Sequence, residues 1–166
     1  HDQGVTSLLV AAGQAVPTNG DPAANVALAA DLTRRAGARG VRLLVLPEAF
    51  LTGYDWAAFD RVRDTGQPRV ETLEELTEPL RAAAAEAGCA VLVCTPLLRG
   101  DDMRLTTLVV RPDATVEAAY DKQHVDRLEL PWFTPGPRGP VVLDVEGVKV
   151  APAICYDSRF PEHAAA

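Results

Sequence analysis

Short apolar runs, bounded by glycine or proline, recur along this chain and constrain its fold more than any other feature. Two of them, residues 6–14 (TSLLVAAGQ) and 41–47 (VRLLVLP), have the length and composition of buried strands. Between them, residues 21–22 (Asp-Pro) can begin a helix as its N-cap and first position, and Gly37 or Gly40 can end it. The opening of the chain therefore predicts a strand–helix–strand unit.

A second helix is predicted from Thr72 to Gly88, where apolar residues recur at steps of three and four. Further short strands are predicted at 89–98, 103–111, 115–121, 140–145 and 148–154. Residues 112–113 (Pro-Asp) and 146–147 (Glu-Gly) supply the turn chemistry of two hairpins. This order of elements predicts an α/β fold, a single domain over residues 1–166, with a mixed sheet and helices on its outer face.

The composition argues against several classes of function. The chain has 166 residues and a net charge of −7, and its lysines and arginines form no cluster, so no nucleic-acid partner is expected. No apolar run approaches the roughly 20 residues that span a bilayer, so no membrane association is expected. The opening HDQGVTSLLVAAGQ lacks the basic and long apolar regions of a secretion signal. A cytoplasmic protein is therefore predicted.

The cysteines give a second indication of the compartment. Their number is three, which is odd and small, and this argues against a disulfide framework. Cys89 and Cys94 lie on one apolar run, CAVLVC, and their spacing is not that of a zinc-ligand pair. No histidine lies nearby to complete a zinc site, so no metal is predicted.

Three reactive or ionisable residues each lie just past the end of an apolar strand. Glu48 follows LLVLP, Lys122 follows TVEAAYD and Cys155 follows VKVAPAI. Because ligand sites in open α/β sheets form beyond the strand ends, these residues are candidates for one pocket. A carboxylate can take the proton of a thiol, and an ammonium can stabilise the thiolate and then the oxyanion of a tetrahedral intermediate. The set suits nucleophilic attack on an amide or nitrile carbon.

Each of the three residues also has a structural interpretation, which residue type and position alone favour. A glutamate after a proline is most often a helix-start or surface carboxylate, and a lone lysine after a strand is most often solvated. A cysteine that ends an apolar run is most often a small buried hydrophobic residue. A choice between the two interpretations needs a more specific signal.

The segments around the three residues provide that signal. LLVLPEAFLTGYD, YDKQHV and APAICYDSRFPE resemble, in this order, the three signature segments of the nitrilase superfamily of carbon–nitrogen hydrolases. The resemblance implies a catalytic triad of Glu48, Lys122 and Cys155, without a metal or an organic cofactor. It implies a four-layer αββα sandwich that associates into a homodimer or a higher homo-oligomer. The implied reaction is cleavage of a small linear amide or N-carbamoyl compound through a cysteine acyl-enzyme.

The resemblance extends to further residues of the same site. Glu129 lies seven residues before Gly136 in ELPWFTPG, which is the spacing at which family members often have a second catalytic carboxylate. Tyr54, which follows LTG, can line the substrate pocket or pack as a core aromatic residue. The backbone N–H of Tyr156 is implied to bind the oxyanion, and Tyr156 is a candidate substrate contact.

Arg159 and His124 have alternative interpretations. Arg159 can bind a substrate carboxylate, or it can pair with Asp157 to shape the turn after Cys155; the structural role is preferred. His124 follows Lys122 by two residues and is interpreted as support for the site. A dyad of Cys155 and His124 would instead indicate a thiol protease.

The chain departs from the family pattern mainly in its length. It ends shortly after the nucleophile segment, so the C-terminal third of the sandwich is expected to be missing. Smaller departures are Pro152, where glycine is common, and Thr107, where asparagine is often found. A non-catalytic remnant, or an interaction domain that kept the fold, is the alternative to an enzyme.

Overall fold

The computed structural model describes residues 7–165 of the chain. Within this range, five strands form a mixed sheet in which their order is the same as along the chain. They are β1 (Val10–Ala12), β2 (Leu43–Val45), β3 (Ala90–Arg99), β4 (Asp102–Val110) and β5 (Val116–Asp121). β1, β2 and β3 run parallel to one another, whereas β3, β4 and β5 pair antiparallel. This large sheet has the mixed topology that the sequence predicts.

Two helices pack against one face of the large sheet and enclose the main core. The helices of the described range are α1 (Pro22–Gly37), α2 (Trp56–Thr65), α3 (Leu73–Leu76), α4 (Glu78–Ala87) and α5 (Pro161–Ala165). Val26 of α1 and Leu80 of α4 are buried in one apolar cluster with Val91 and Leu108 of the sheet. None of the helices within residues 7–165 combines the length and hydropathy that a membrane crossing requires.

Helix α1 begins and ends where the sequence predicts. The Asp21 side chain accepts a hydrogen bond from the Ala24 N–H at 3.0 Å, and Pro22 is the first helical residue. Gly37 ends the helix at its contact with α4. A Cβ on Gly37 would lie 2.5 Å from the Cβ of Ala87, so the two helices can approach this closely only at a glycine.

The helix predicted from Thr72 to Gly88 is divided in the structure. A 3-10 turn (Val70–Thr72) leads into α3, and Thr77 separates α3 from α4. Pro79 lies in the first turn of α4, and a continuous helix is disfavoured there because proline has no N–H to donate to the preceding turn. Gly88 ends α4 in the left-handed conformation, with φ 57°, as predicted.

Helix α2 is absent from the sequence-based prediction, although its capping residues are present. Asp55 accepts a hydrogen bond from the Ala57 N–H at 3.0 Å, and Gly66 ends the helix with φ 68°. The fully buried ring of Phe59 holds α2 against the loop after β5, where it packs edge-on against Phe133 at 4.8 Å between ring centroids.

The small second sheet is a hairpin that lies on the face of the large sheet opposite α1 and α4. β6 (Leu143–Val145) and β7 (Val148–Val150) pair antiparallel, and both turn residues have positive φ, 53° at Glu146 and 82° at Gly147. The hairpin predicted at residues 146–147 is therefore confirmed. The antiparallel pairing of β4 with β5 confirms the one predicted at residues 112–113. The hairpin and the large sheet share a cluster of Leu43, Ala90, Leu92, Val109, Leu143 and Val145.

Several strands predicted from the sequence are longer than the paired strands that the structure contains. The strand predicted over 6–14 is confined to β1, and its first residue lies outside the described range. The strands predicted over 140–145 and 148–154 are confined to β6 and β7, since only these residues find pairing partners within the described chain. Residues 151–154 continue from β7 without strand pairing and lead to Cys155.

Candidate active site

Lys122 lies at the end of β5, in the protein interior, and is the centre of the candidate site. Its backbone N–H donates to the Leu105 carbonyl and its own carbonyl accepts from the Gly136 N–H, both at 2.8 Å. The side chain is fully buried, with Nζ 2.7 Å from Glu48 Oε1 and 2.9 and 2.8 Å from the two carboxylate oxygens of Glu129. A lysine after a strand is normally solvated. This lysine is instead enclosed between two carboxylates.

Opposing effects act on the pKa of Lys122. Burial lowers the pKa, because the charged form loses its contact with water. The hydrogen bonds and negative charges of Glu129 and Glu48 raise it and outweigh burial, so that the pKa of Lys122 lies above its ordinary value. Lys122 is therefore an ammonium at neutral pH.

Glu48 reaches the lysine from the turn after β2. The Leu46 N–H still donates to β3, at 2.9 Å, but Pro47 has no N–H to continue the ladder, and Ala49 turns the chain with φ 51°. The Glu48 side chain is 16% exposed, so it is open to solvent on the side opposite Lys122. The sequence LPEA thus ends a strand and presents a carboxylate at its tip.

Glu129 is the more deeply buried of the two carboxylates, with 1% exposure. The Asp126 N–H donates to its Oε2 at 2.8 Å, and the Tyr54 O–H donates to its Oε1 at 2.7 Å. Each oxygen therefore has a donor in addition to Lys122, and these bonds hold Glu129 in one orientation. Glu129 and Lys122 are thus held in direct contact at the candidate site.

The loop 131–140 fixes this arrangement by lying directly on the end of β5. A Cβ on Gly136 would lie 2.3 Å from the carbonyl oxygen of Asp121, a distance that only glycine avoids. The close approach allows the Gly136 N–H to reach the Lys122 carbonyl. The seven-residue spacing from Glu129 to Gly136 therefore has a physical basis, because both ends of this segment contact Lys122.

Cys155 lies beyond β7, at the first residue of a 3-10 turn that ends at Arg159, and is exposed. Its φ is 45°, a backbone conformation that is rare for residues with a side chain and is concentrated at functional turns. Cys155, Glu48, Cys94 and Thr107 line one cavity of about 360 Å³ between the large sheet and the segment after β7. Glu48 thus contacts the lysine and shares a cavity with the thiol, and the three predicted residues lie at one site.

Four effects determine the pKa of Cys155. Burial raises it most, Glu48 raises it further through its charge and hydrogen bonding, and Glu129 adds to the increase, whereas Lys122 lowers it. The site has two carboxylates for one ammonium, so a thiolate would add to an existing surplus of negative charge. These effects together raise the pKa of Cys155 above its ordinary value and so favour the neutral thiol over the thiolate.

The partners of Asp157 differ from the predicted pairing with Arg159. The carboxylate is fully buried and accepts from the Tyr120 O–H at 2.6 Å, the Ile154 N–H at 3.1 Å, and the backbone N–H and Nδ1 of His124 at 2.8 and 2.9 Å. Burial alone would raise the pKa of Asp157, but these hydrogen bonds hold it below its ordinary value. Within residues 7–165, Asp157 makes no ion pair with Arg159.

His124 is hydrogen-bonded to Asp157, and its ring stacks on the ring of Phe160 with 3.8 Å between the ring centroids. The geometry agrees with a supporting role for His124 and does not favour a dyad with Cys155. His124, Asp157 and His163 also bring potential metal-ligand atoms within 4.8 Å of one another. Each carboxylate oxygen of Asp157 already accepts two hydrogen bonds, so metal coordination would require some of these bonds to break. We interpret the cluster as a hydrogen-bonded support.

The predicted substrate-contacting residues occupy two different places. Tyr54 lies beside Glu129, and burial together with that hydrogen bond raises the pKa of Tyr54 well above its ordinary range. Tyr156 and Arg159 lie on the outer side of the 3-10 turn, with the guanidinium carbon 5.6 Å from the Tyr156 ring centroid. None of these three side chains is among the described residues that line the cavity, so their substrate contacts stay predictions.

A family model described as carbon-nitrogen hydrolase matches residues 9–166. The chain belongs to the carbon-nitrogen hydrolase family. The chain is 34% identical over 144 residues to a nitrilase from Pyrococcus abyssi, a match that covers 87% of this chain and 54% of the relative. It is 32% identical over 121 residues to an omega-amidase from Yersinia enterocolitica, covering 72% and 43% of the two chains. The chain thus spans about half the length of the curated relatives it matches.

The solved structures give the same result for the fold. A variant of an amidase from Nesterenkonia sp. AN1, in complex with butyramide, matches with a TM-score of 0.79 at 28% identity, over 94% of this chain and 59% of the amidase chain. In another structure of that amidase, the acetamide moiety of fluoroacetamide is added covalently at the active-site cysteine. The predicted nitrilase-like α/β sandwich is confirmed for the part of the fold that this chain forms.

Proposed function

We propose that this hydrolase cleaves small linear amides or N-carbamoyl compounds through an acyl-enzyme on Cys155, with Glu48 as base and Lys122 as oxyanion donor. The main support is the environment of Lys122, a buried ammonium that contacts two carboxylates, one of which shares a cavity with an exposed thiol. Burial of a charged lysine is costly even when it is paired. A role in stabilising an anionic intermediate gives a functional reason for that cost.

In the proposed first step, Glu48 accepts the thiol proton of Cys155 while the sulfur forms a bond to the amide carbon. The raised pKa of Cys155 favours proton transfer at the moment of attack over a preformed thiolate. Lys122 and the backbone N–H of Tyr156 bind the negative oxygen of the tetrahedral intermediate. Because Lys122 contacts both oxygens of Glu129, one ammonium hydrogen can turn to the oxyanion while another keeps that contact.

In the second step, the carbon–nitrogen bond breaks as Glu48 passes the proton to the leaving nitrogen, and ammonia or an amine departs. Water then attacks the thioester carbon, and Glu48 takes one of its protons. That proton returns to the sulfur of Cys155 as the carbon–sulfur bond breaks. Each proton and electron pair is accounted for by these side chains and the water, so the proposed mechanism uses no cofactor.

The substrate class is supported by the relatives and by the cavity. The Yersinia relative is an omega-amidase, and the Nesterenkonia amidase binds butyramide, which is a short linear amide. Apart from Glu48, Thr107 and the two thiols, the residues that line the cavity are apolar: Val45, Leu46, Leu92, Val150, Ala151, Pro152, Ala153 and Ile154. A short uncharged chain next to the amide suits such a lining.

A substrate panel with a trapping agent tests the proposal. The purified protein is incubated with an aliphatic amide, an omega-amide, an N-carbamoyl amine and a nitrile, and ammonia release is measured with and without hydroxylamine. We expect ammonia from at least one amide or carbamoyl compound, and capture of the acyl group as a hydroxamate, in the native protein but not in Cys155→Ala. A folded protein that releases no ammonia, and whose three cysteines are alkylated equally, would favour the non-catalytic alternative.

Association into a homodimer or a higher homo-oligomer is part of the same proposal. Exposed apolar side chains, such as Leu128 at 65%, Leu130 at 53% and Val142 at 58% exposure, are compatible with further contacts. Size-exclusion chromatography with light scattering tests this, and the mass of a single chain at all concentrations would contradict it. A cytoplasmic location stays a prediction of the sequence.

A further inference from the structure

We propose that Asp157 is a positioning residue that joins the segment of Cys155 to the segment of Lys122 and so sets the position of the thiol beside its partners. This inference rests on the proposed acyl-enzyme function. The residues concerned, called the Asp157 anchor below, are Asp157, Tyr120, His124 and Ile154.

The donors to Asp157 come from both sides of the site. Tyr120 and His124 lie two residues before and two residues after Lys122, whereas Ile154 directly precedes the nucleophile. In an extended chain, residues two apart point to the same side. Tyr120 within β5 therefore points to the same side as Lys122, whereas His124 reaches Asp157 from the bend that follows the strand. One carboxylate thus connects the lysine segment with the nucleophile segment.

The individual contacts show how direct this connection is. Asp157 Oδ2 accepts from both the Tyr120 O–H and the Ile154 N–H, at 2.6 and 3.1 Å, so a single oxygen bridges β5 and the nucleophile segment. Oδ1 accepts both donors of His124. Asp157 is fully buried and Tyr120 is 3% exposed, so these charge-assisted bonds are shielded from water.

The anchor also accounts for the unusual backbone at Cys155. A φ of 45° persists only where the surrounding structure holds it. The Asp157 N–H donates to the Ile154 carbonyl at 3.0 Å while the Asp157 side chain accepts from the Ile154 N–H, so two bonds close the turn around Cys155. Without the side-chain bond, we expect this turn to relax and the thiol to move away from Glu48 and Lys122.

A buried aspartate of purely structural importance would make the same contacts, so the variants must separate folding from positioning. Tyr120→Phe removes one donor without changing the shape of the side chain, and His124→Ala removes the Nδ1 donor. His124→Asn keeps an N–H donor near the position of Nδ1. Thr33→Val is the matched control, since Thr33 is also fully buried and donates its hydroxyl once, to the Ala29 carbonyl at 2.7 Å, within α1 and outside the site.

Turnover of a substrate found with the panel is the first measurement. We expect Tyr120→Phe and His124→Ala to lower kcat about 10- to 100-fold, because misplacing a reacting group by about 1 Å has an effect of this order, with KM changed less than about threefold. His124→Asn is expected to recover most of the loss. Thr33→Val is expected to lower the free energy of unfolding without changing kcat.

The pH dependence of Cys155 alkylation by iodoacetamide, followed by peptide mapping, is the second measurement. Burial, Glu48 and Glu129 keep the pKa of Cys155 high and Lys122 opposes them, so a relaxed turn moves the apparent pKa down toward that of an ordinary thiol. This readout needs no substrate and tests the anchor even if the proposed reaction fails. The proposal is overturned if the folded Tyr120→Phe and His124→Ala variants keep the native kcat and alkylation profile, or change only as Thr33→Val does.

Discussion

Cys94 and Cys155 line the same cavity and experience the charges of the same three residues, Glu48, Lys122 and Glu129, but the fold presents them differently. Cys94 lies in the middle of β3 and is 4% exposed, and burial raises its pKa to about 12. Cys155 is exposed, lies beyond the end of a strand and has a left-handed backbone. A thiol within a paired strand is fixed as part of the core, whereas a thiol past the strand end can meet a substrate. Charge environment alone would not distinguish the two.

Replacing each thiol in turn gives the largest contrast. Cys155→Ala is expected to lower turnover at least about 10³-fold, because the proposed nucleophile is lost. Cys94→Ala is expected to change turnover less than about tenfold and to lower the free energy of unfolding by about 1–3 kcal/mol, because it leaves a small cavity beside β3. Ammonia release and denaturant unfolding measure the two effects. Equal losses of turnover in both folded variants would remove the distinction.

Removal of the ammonium between the two carboxylates is expected to have the next largest effect. Lys122→Met should lower turnover about 10²- to 10³-fold through loss of the oxyanion donor. It should also lower the free energy of unfolding by about 3–5 kcal/mol, because the buried carboxylate of Glu129 and the partly buried one of Glu48 lose their partner. Lys149→Met is the control, since Lys149 is 71% exposed and its ion pair with the exposed Asp144 is screened by solvent. If Lys122→Met kept most of its turnover, the triad interpretation would be wrong.

Glu48→Gln is expected to move turnover and thiol reactivity in opposite directions. Turnover should fall about 10²-fold or more, because the general base is lost. The rate of Cys155 alkylation at neutral pH should rise, because the negative charge that raises the pKa of Cys155 is gone. Cys94 should stay unreactive because it remains buried. Glu117→Gln, which changes an exposed carboxylate, is the control, and slower alkylation of Cys155 in Glu48→Gln would contradict the assigned role.

The proximity of Glu48 and Lys122 could be predicted from the sequence because each signal is local, whereas Glu129 was predicted only through the family resemblance. An apolar run followed by an ionisable residue marks a strand end, and in this sheet the ends after β2 and β5 meet. The partners of Asp157 could not be predicted in the same way. Tyr120 is 37 residues away along the chain, whereas Arg159 is the nearest opposite charge in sequence. The Y-x-K-x-H spacing was the available signal, since it places Tyr120 and His124 two residues from Lys122 in the sequence.

The elements that the sequence patterns misjudge are those whose limits depend on tertiary pairing or on single residues. The apolar run 148–154 looks like one strand, but strand length is decided by the partner, and pairing ends at Val150. The period of the second helix continues through Pro79, although the missing N–H divides it. Helix α2 has its caps at Asp55 and Gly66 but is polar overall, with few buried residues between the caps, so no apolar run marks it in the sequence.

The smallest expected effect is a difference at acid pH between the hydrogen-exchange protection of the segment around Cys155 and that of β3, which contains Cys94. Hydrogen bonds hold the pKa of Asp157 below its ordinary value of 3.8, so Asp157 stabilises the native state fully above that value, and this contribution is lost as the pH falls through the folded pKa. Because the nucleophile turn depends on Asp157 and Cys94 lies in a paired strand, hydrogen exchange around Cys155 should quicken by about tenfold or less at a pH where β3 amides stay protected. Tyr120→Phe removes one of the bonds that lower the pKa of Asp157, so it should shift the onset of this local opening to a higher pH. Simultaneous loss of protection in both segments at every pH would show that the nucleophile turn has no separate acid-sensitive support.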